Sequence, residues 1–252
     1  MSFDITIVRD IAVVLVPMIL SLSVHEYAHA WSAFKLGDDT AASRGRMTLN
    51  PASHIDVFGT LLIPIFAVVS GGIGLIGWAK PVPISPQRFS RRISMRKGTV
   101  ITALAGPASN VLIAFLVAGV SMALYSELIG ELARHGASSR FSGFLTLGHD
   151  QFVGPNEKLL AARGFGRVDA VISLLLSHLL AMNIGLAIFN MLPVPPLDGS
   201  RMLPLEWQEK LARYTLLVFV GFIVLINTAP GALWLPASAI GNSFLWFWSL
   251  FF

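Results

Sequence analysis

His25, Glu26 and His29 stand in the stretch SVHEYAHAW (23–31) as an H-E-x-x-H set. On a helix, residues i and i+4 share one face about a turn apart. Both imidazoles can then reach a single ion, while the carboxylate beside the first reaches the water bound to it. This is the pattern of a hydrolytic zinc site, with His25 and His29 as ligands and Glu26 as general base. The set closes an apolar run, IAVVLVPMILSLSV (11–24). Ionisable groups in such a run are expensive and face a cavity or a partner, which favours function over a solvated surface pair.

A hydrolytic zinc needs a third protein ligand and an open fourth position for water. The acids within or beside the other apolar runs are Asp56, Glu127, Asp169 and Asp198. Asp198 lies in FNMLPVPPLDGSRML (189–203), where Asn190, Pro193, Pro195, Pro196 and Gly199 interrupt a helix at membrane depth. Broken backbone at that depth is tolerated only where it lines a cavity or is buried in protein. Asp198 alone combines depth with broken backbone, and it is the expected third ligand of one zinc ion per chain. His54 could donate to an oxyanion or support a ligand; its plain alternative is a capping or interfacial histidine packed against Asp56. Asn190, one heptad after Asn183, could position substrate or water, or simply bond a neighbouring helix.

The elements that must carry these groups are membrane helices. Of 252 residues, 54% are hydrophobic and 13% charged, and the mean hydropathy is +0.70. Soluble domains carry roughly 25% charged residues. Apolar runs at about 8–34, 99–128, 170–192 and 213–229 are long enough to span as helices, while 57–77 and 231–252 are broken by Gly and Pro. No run alternates with the period of a strand, so the expected fold is an all-α polytopic bundle of about 4–6 transmembrane helices. The sequence reads as a single membrane-embedded domain over 1–252, without repeats. Cysteine is absent, which removes disulfides, thiolate ligands and a thiol nucleophile.

Two polar stretches orient the bundle. The first, 78–98, carries Lys80, Arg88, Arg91, Arg92, Arg96 and Lys97 with no acid, and by the positive-inside rule is cytoplasmic. The second, 129–169, is Gly-rich and nearly charge-balanced, and suits the extracytoplasmic side. The net charge of +4 is explained by this asymmetry and does not call for nucleic acid. His29 and Asp198 must meet although each closes a different span. That requires 57–77, with Pro64, Gly71, Gly72, Gly74 and Gly77, to be a re-entrant element or short hairpin and not a crossing.

HEYAH at the end of a membrane helix, ALAGPASN (103–110) in the next clear span and NMLPVPPLDG (190–199) closing the one after resemble the site-2 protease family of intramembrane zinc metalloproteases, over about residues 20–205. LNPASHID (49–56) and GWAKPVP (77–83) resemble a compact subgroup of it that lacks PDZ and CBS domains. The resemblance implies zinc held by His25, His29 and Asp198, with Glu26 as base. It also implies transmembrane protein substrates, single-pass ones foremost, in a bacterial-type inner membrane with the active site toward the cytoplasm. A metal transporter or sensor using the same ligands, and an inactive scaffold, are the competing readings. Transport would favour polar ligands continuing across the bilayer, and a scaffold would not need the complete set of catalytic residue types.

Overall fold

The computed structural model describes residues 5–70, 77–135, 139–149, 164, 166–215, 217, 221, 224, 228 and 231–252. Among them every regular element is helical: α1 (Ile5–Lys35), α2 (Thr40–Ser43), α3 (Ile63–Val69), α4 (Met95–His135), α5 (Arg140–His149), α6 (Arg167–Asn190), α7 (Leu205–Ala212) and α8 (Gly231–Trp248). Short 3-10 turns lie at Pro51–Ser53, Pro86–Arg88 and Asp198–Met202, and a π-helical turn at Val57–Leu62 leads into α3. Three of the described helices are long and apolar enough to cross a bilayer, at Ile7–Lys35, Met95–Glu131 and Val171–Asn190. At about 1.5 Å per residue, 20 residues reach across a hydrocarbon layer of about 30 Å. The chain is thus an integral membrane helix bundle. The span expected at about 213–229 lies mostly outside the described residues, and 231–252 contains α8, which runs continuously through Pro236.

Lipid tails are as apolar as leucine, so helices in a bilayer associate through close packing and interhelical hydrogen bonds. The buried contacts here accordingly use small residues: Ser21, Ala30 and Ala33 of α1, Ala103, Ala114 and Ala118 of α4, and Ser173, Ser177 and Ala187 of α6. A larger apolar core fills the other half of the bundle, where Met122, Ile129, Phe141, Phe144, Leu180, Ile184 and Leu245 pack together. Phe141 and Phe144 belong to α5, which lies within the stretch expected to be a polar loop. Three residues apart, they share one face and are fully buried against the bundle. Gly241 of α8 makes room for them: a Cβ there would sit 2.4 Å from the Phe141 ring. The polar stretch 129–169 therefore begins as the last turns of α4 and continues as a packed helix, and its residues 150–163 lie outside the described ones.

The hairpin expectation is met at both of its described ends. The apolar helical segment Val57–Val69 is too short to span, reaching about 20 Å at 1.5 Å per residue. Its start is fixed by Asp56, whose carboxylate caps the Phe58 and Gly59 amides at 3.1 and 2.8 Å. That commitment leaves Asp56 a helix cap. On the return, the Trp78 amide donates to the Gly59 carbonyl at 3.2 Å, and the Thr60 hydroxyl donates to the Trp78 carbonyl at 2.7 Å. A Cβ on Gly59 would lie 2.4 Å from the Trp78 ring, so the two strands of the hairpin close on a glycine. The chain thus leaves and regains the same level, and residues 71–76 lie outside the described ones.

Because the chain has no cysteine, topology can be read by single-cysteine labelling. Asp39→Cys and Arg91→Cys should react with a membrane-impermeant maleimide from one face of sealed vesicles, and Val168→Cys from the other. Labelling of positions 39 and 91 from opposite faces would show that 57–77 crosses.

Candidate active site

α1 places His25 and His29 one turn apart, six and ten residues before its last residue in reverse order, with Lys35 closing the helix. At 1.5 Å per residue this sets the two imidazoles about 9–15 Å in from that end of the helix. Both rings are buried. Their Nε2 atoms lie 3.0 Å apart, and each is 3.1 Å from Oδ2 of Asp198. Asp198 reaches them because the chain after α6 folds back on itself. The Leu197 amide bonds the Val194 carbonyl at 2.8 Å and the Ser200 hydroxyl bonds the Leu197 carbonyl at 2.7 Å. Gly199 then lies against the end of α6, where a Cβ would be 2.3 Å from the Met191 carbonyl oxygen. Any larger residue at 199 would push Asp198 away from the histidines.

The donor atoms can be assigned from their second contacts. His29 Nδ1 meets the Thr102 carbonyl oxygen at 2.7 Å. A carbonyl only accepts, so Nδ1 carries a proton, and in the neutral ring Nε2 presents a lone pair. His25 Nδ1 meets Asn110 Oδ1 at 2.5 Å, which gives the same tautomer. With both rings neutral, two lone pairs and a carboxylate oxygen face one another, an arrangement that a cation offsets. Tetrahedral bonds of about 2.0–2.1 Å would space such ligands by about 3.3–3.4 Å, close to what is found. The nitrogen and carboxylate donors suit zinc, and among the described residues His25, His29 and Asp198 form the one group able to hold a metal ion.

α4 forms the wall behind the ligands. Thr102, Gly106 and Asn110 recur at four-residue spacing on one face. Thr102 offers its carbonyl to His29 and Asn110 its amide to His25. Gly106 offers absence: a Cβ there would lie 2.4 Å from His29 Nε2 and 2.6 Å from His25 Nε2. Sequence reasoning quoted this stretch only as part of a resemblance. The i, i+4, i+8 spacing of Thr, Gly and Asn inside an apolar span was the signal that could have assigned it.

Glu26 follows His25 in α1 and turns about 100° away around the helix axis. It is buried, and its Oε2 accepts the Val82 amide at 2.7 Å. Val82 belongs to the extended segment 77–84 that returns from the hairpin, and this strap is held along its length. The Lys80 amide donates to the His54 carbonyl at 2.9 Å, Arg46 donates to the Lys80 carbonyl at 2.7 Å, and the Ser85 amide donates to Asp38 at 2.6 Å. His54 is buried beside the strap, and its Nε2 donates to the Thr48 carbonyl at 2.8 Å. Asn190 returns its amide to the Leu186 carbonyl at 3.0 Å. The structure thus brings His25, His29 and Asp198 together with Glu26 alongside, and leaves His54 and Asn190 bonded to backbone outside that cluster. Asn183, a heptad earlier, is the α6 asparagine that is fully buried and bonded to Asn110.

Comparison with known proteins gives a consistent picture. The model of Peptidase family M50 matches residues 13–227. YwhC of Bacillus subtilis (strain 168), named as a candidate zinc metalloprotease, is 33% identical over 243 residues, covering 94% of this chain and 91% of that protein. Rip2 of Mycolicibacterium smegmatis, named likewise, is 32% identical over 107 residues, covering 42% of this chain and 39% of Rip2. No solved structure matches the chain.

The wall makes a sharp prediction. Gly106→Ala favours helix formation by up to about 1 kcal/mol, yet it should strip metal from the purified protein, read as zinc per chain by elemental analysis. Gly185→Ala, where a Cβ meets nothing within 4 Å, should retain it. Equal zinc content in the two variants would remove Gly106 from the site.

Proposed function

The chain belongs to peptidase family M50, and from that membership we propose that it is a zinc-dependent intramembrane endopeptidase acting on transmembrane segments of protein substrates, single-pass ones foremost. The observation that carries this reading is the meeting of His25 Nε2, His29 Nε2 and Asp198 Oδ2 within 3.1 Å, with the Glu26 carboxylate one residue from a ligand. In it, His25, His29 and Asp198 would hold the ion. Zinc bound there would polarise the scissile carbonyl and lower the pKa of a water molecule. Glu26 would act as the base, taking a proton from the attacking water and returning it to the leaving amine. The Val82 amide holds one oxygen of Glu26 and leaves the other to face the substrate. His54 acts through the strap by anchoring Lys80, and Asn190 stands at the mouth of the broken segment that brings in Asp198.

The site opens toward the cytoplasm of a bacterial-type inner membrane. The basic segment 78–98 starts with the strap that touches Glu26, so the positive-inside rule puts that end of the bundle on the cytoplasmic face. Catalysis is favoured over metal transit because, among the described residues, the groups able to hold a metal gather at a single level. A transit path would repeat them across the layer.

Glu26→Gln tests the assignment. The variant should retain zinc and lose at least about 10²-fold in cleavage rate, measured with purified protein and a panel of membrane-spanning peptides in detergent or liposomes, and a chelator should abolish cleavage by the unsubstituted chain. Normal cleavage by the variant would remove Glu26 from the role of base.

A further inference from the structure

The tautomer of His25 depends on side chains from two other helices, and the chain of bonds that sets it can be followed to fixed points. Asn183 of α6 donates from Nδ2 to the Leu179 carbonyl and to Ser21 Oγ, both at 2.8 Å. Leu179 O can only accept. Ser21 has committed its own proton to the Pro17 carbonyl at 2.7 Å, so toward Asn183 it can only accept as well. The amide of Asn183 therefore has one allowed orientation, with Oδ1 turned to α4. There it receives Asn110 Nδ2 at 2.8 Å. Asn110 is oriented in turn, with Oδ1 toward His25 Nδ1 at 2.5 Å. His25 Nδ1 must be the donor, and Nε2 is left bare on the side of Asp198.

Ser21, Asn110 and Asn183 are each fully buried, so no water competes for these bonds. His29 needs no such relay, because a backbone carbonyl, Thr102 O, fixes its proton directly.

We propose that Asn110 and Asn183 are positioning residues that act in series, selecting the His25 tautomer that can bind metal and thereby setting zinc affinity. Asn183 touches no ligand and acts only through Asn110. With Asn183 gone, the Asn110 amide is free to turn over, presenting its NH2 to His25 Nδ1 and moving the imidazole proton to Nε2, where it blocks the metal. The inference rests on the ligand assignment made above.

The test uses the full chain in detergent with zinc affinity measured by chelator competition, and the visible spectrum of the Co2+-substituted protein as a second readout of ligand geometry. Asn110→Leu and Asn183→Leu should each weaken zinc binding by about 10- to 100-fold and alter the Co2+ spectrum. In the double variant the loss should be no greater than for Asn110→Leu alone, because the two residues lie on one path. Thermal stability should move differently: Asn110→Leu orphans both His25 Nδ1 and Asn183 Oδ1, whereas the double variant orphans only His25 Nδ1, so the double variant should melt above Asn110→Leu.

If the asparagines merely join helices, zinc affinity will stay at the unsubstituted value in every variant that folds, and the relay is overturned. If the two losses multiply in the double variant, the series arrangement is overturned. Failure of the unsubstituted chain to bind zinc would overturn the ligand assignment itself, and the relay with it.

Discussion

The bundle is organised around a repulsion. Two imidazole nitrogens, bare in the neutral rings, and a carboxylate oxygen are brought within 3.1 Å of one another on three buried side chains. Left alone, such a cluster would be relieved by moving a proton onto an imidazole or by swinging Asp198 out. The surroundings oppose both. Protons are held on the far nitrogens by Thr102 and Asn110, and Asp198 is held in by a turn packed so closely on the end of α6 that only the missing Cβ of Gly199 permits it. The structure thus maintains an arrangement of acceptors that a divalent cation stabilises, and the affinity for that cation reflects how firmly the surroundings resist relaxing.

The strap from 77 to 84 extends the same logic to Glu26. A buried carboxylate needs hydrogen-bond donors, and here the donor is a backbone amide delivered by the hairpin. The delivery is secured at its far end by Asp38, a second buried carboxylate, which takes the Thr40 amide at 3.0 Å, the Thr40 hydroxyl and the Ser85 amide at 2.6 Å. Asp38 follows Gly37, whose φ of 104° ends α1 and whose missing Cβ lets Ser90 approach. The candidate metal site, Glu26 and the strap are therefore referred to one helix: α1 carries His25, Glu26 and His29, and the turn after it carries Asp38, the anchor of the strap.

What was legible in the sequence follows from range and chemistry. The pairing of His25 with His29 was legible because the i, i+4 geometry is local, and their meeting with Asp198 because a carboxylate beside broken backbone at membrane depth is hard to explain otherwise. The hairpin was readable from a glycine- and proline-rich run combined with the need for two ends to meet. The α4 wall was not read, because Thr102 acts through its carbonyl, Gly106 through the atom it lacks and Asn110 through a neutral amide. None of these has a titratable signature. Asn190 and Asn183 share one face of α6 about 10 Å apart along the axis, and heptad spacing does not tell which of them meets the partner that Asn110 provides; it is Asn183. α5 went unread because a ten-residue helix in a glycine-rich, charge-balanced stretch has too short a pattern to separate from loop.

Parity ties these pieces together. Ligands come from the last turns of α1 and from the turn that follows α6, so both helices must end on the same side, and an even number of crossings must separate those ends. α4 and α6 supply two. A third crossing between α1 and α4 would put Asp198 a full bilayer away from the histidines, and no local rearrangement could recover the contact. The segment at 57–77 is consequently forbidden to span whatever its hydropathy, in keeping with the bond between the Trp78 amide and the Gly59 carbonyl at its two described ends. Having turned back, it is placed beside the site with backbone amides to satisfy, and Glu26 and the 46–60 connector are the acceptors within reach. The shortness of the hairpin and the coverage of the base are thus consequences of one constraint, the meeting of α1 with the turn after α6.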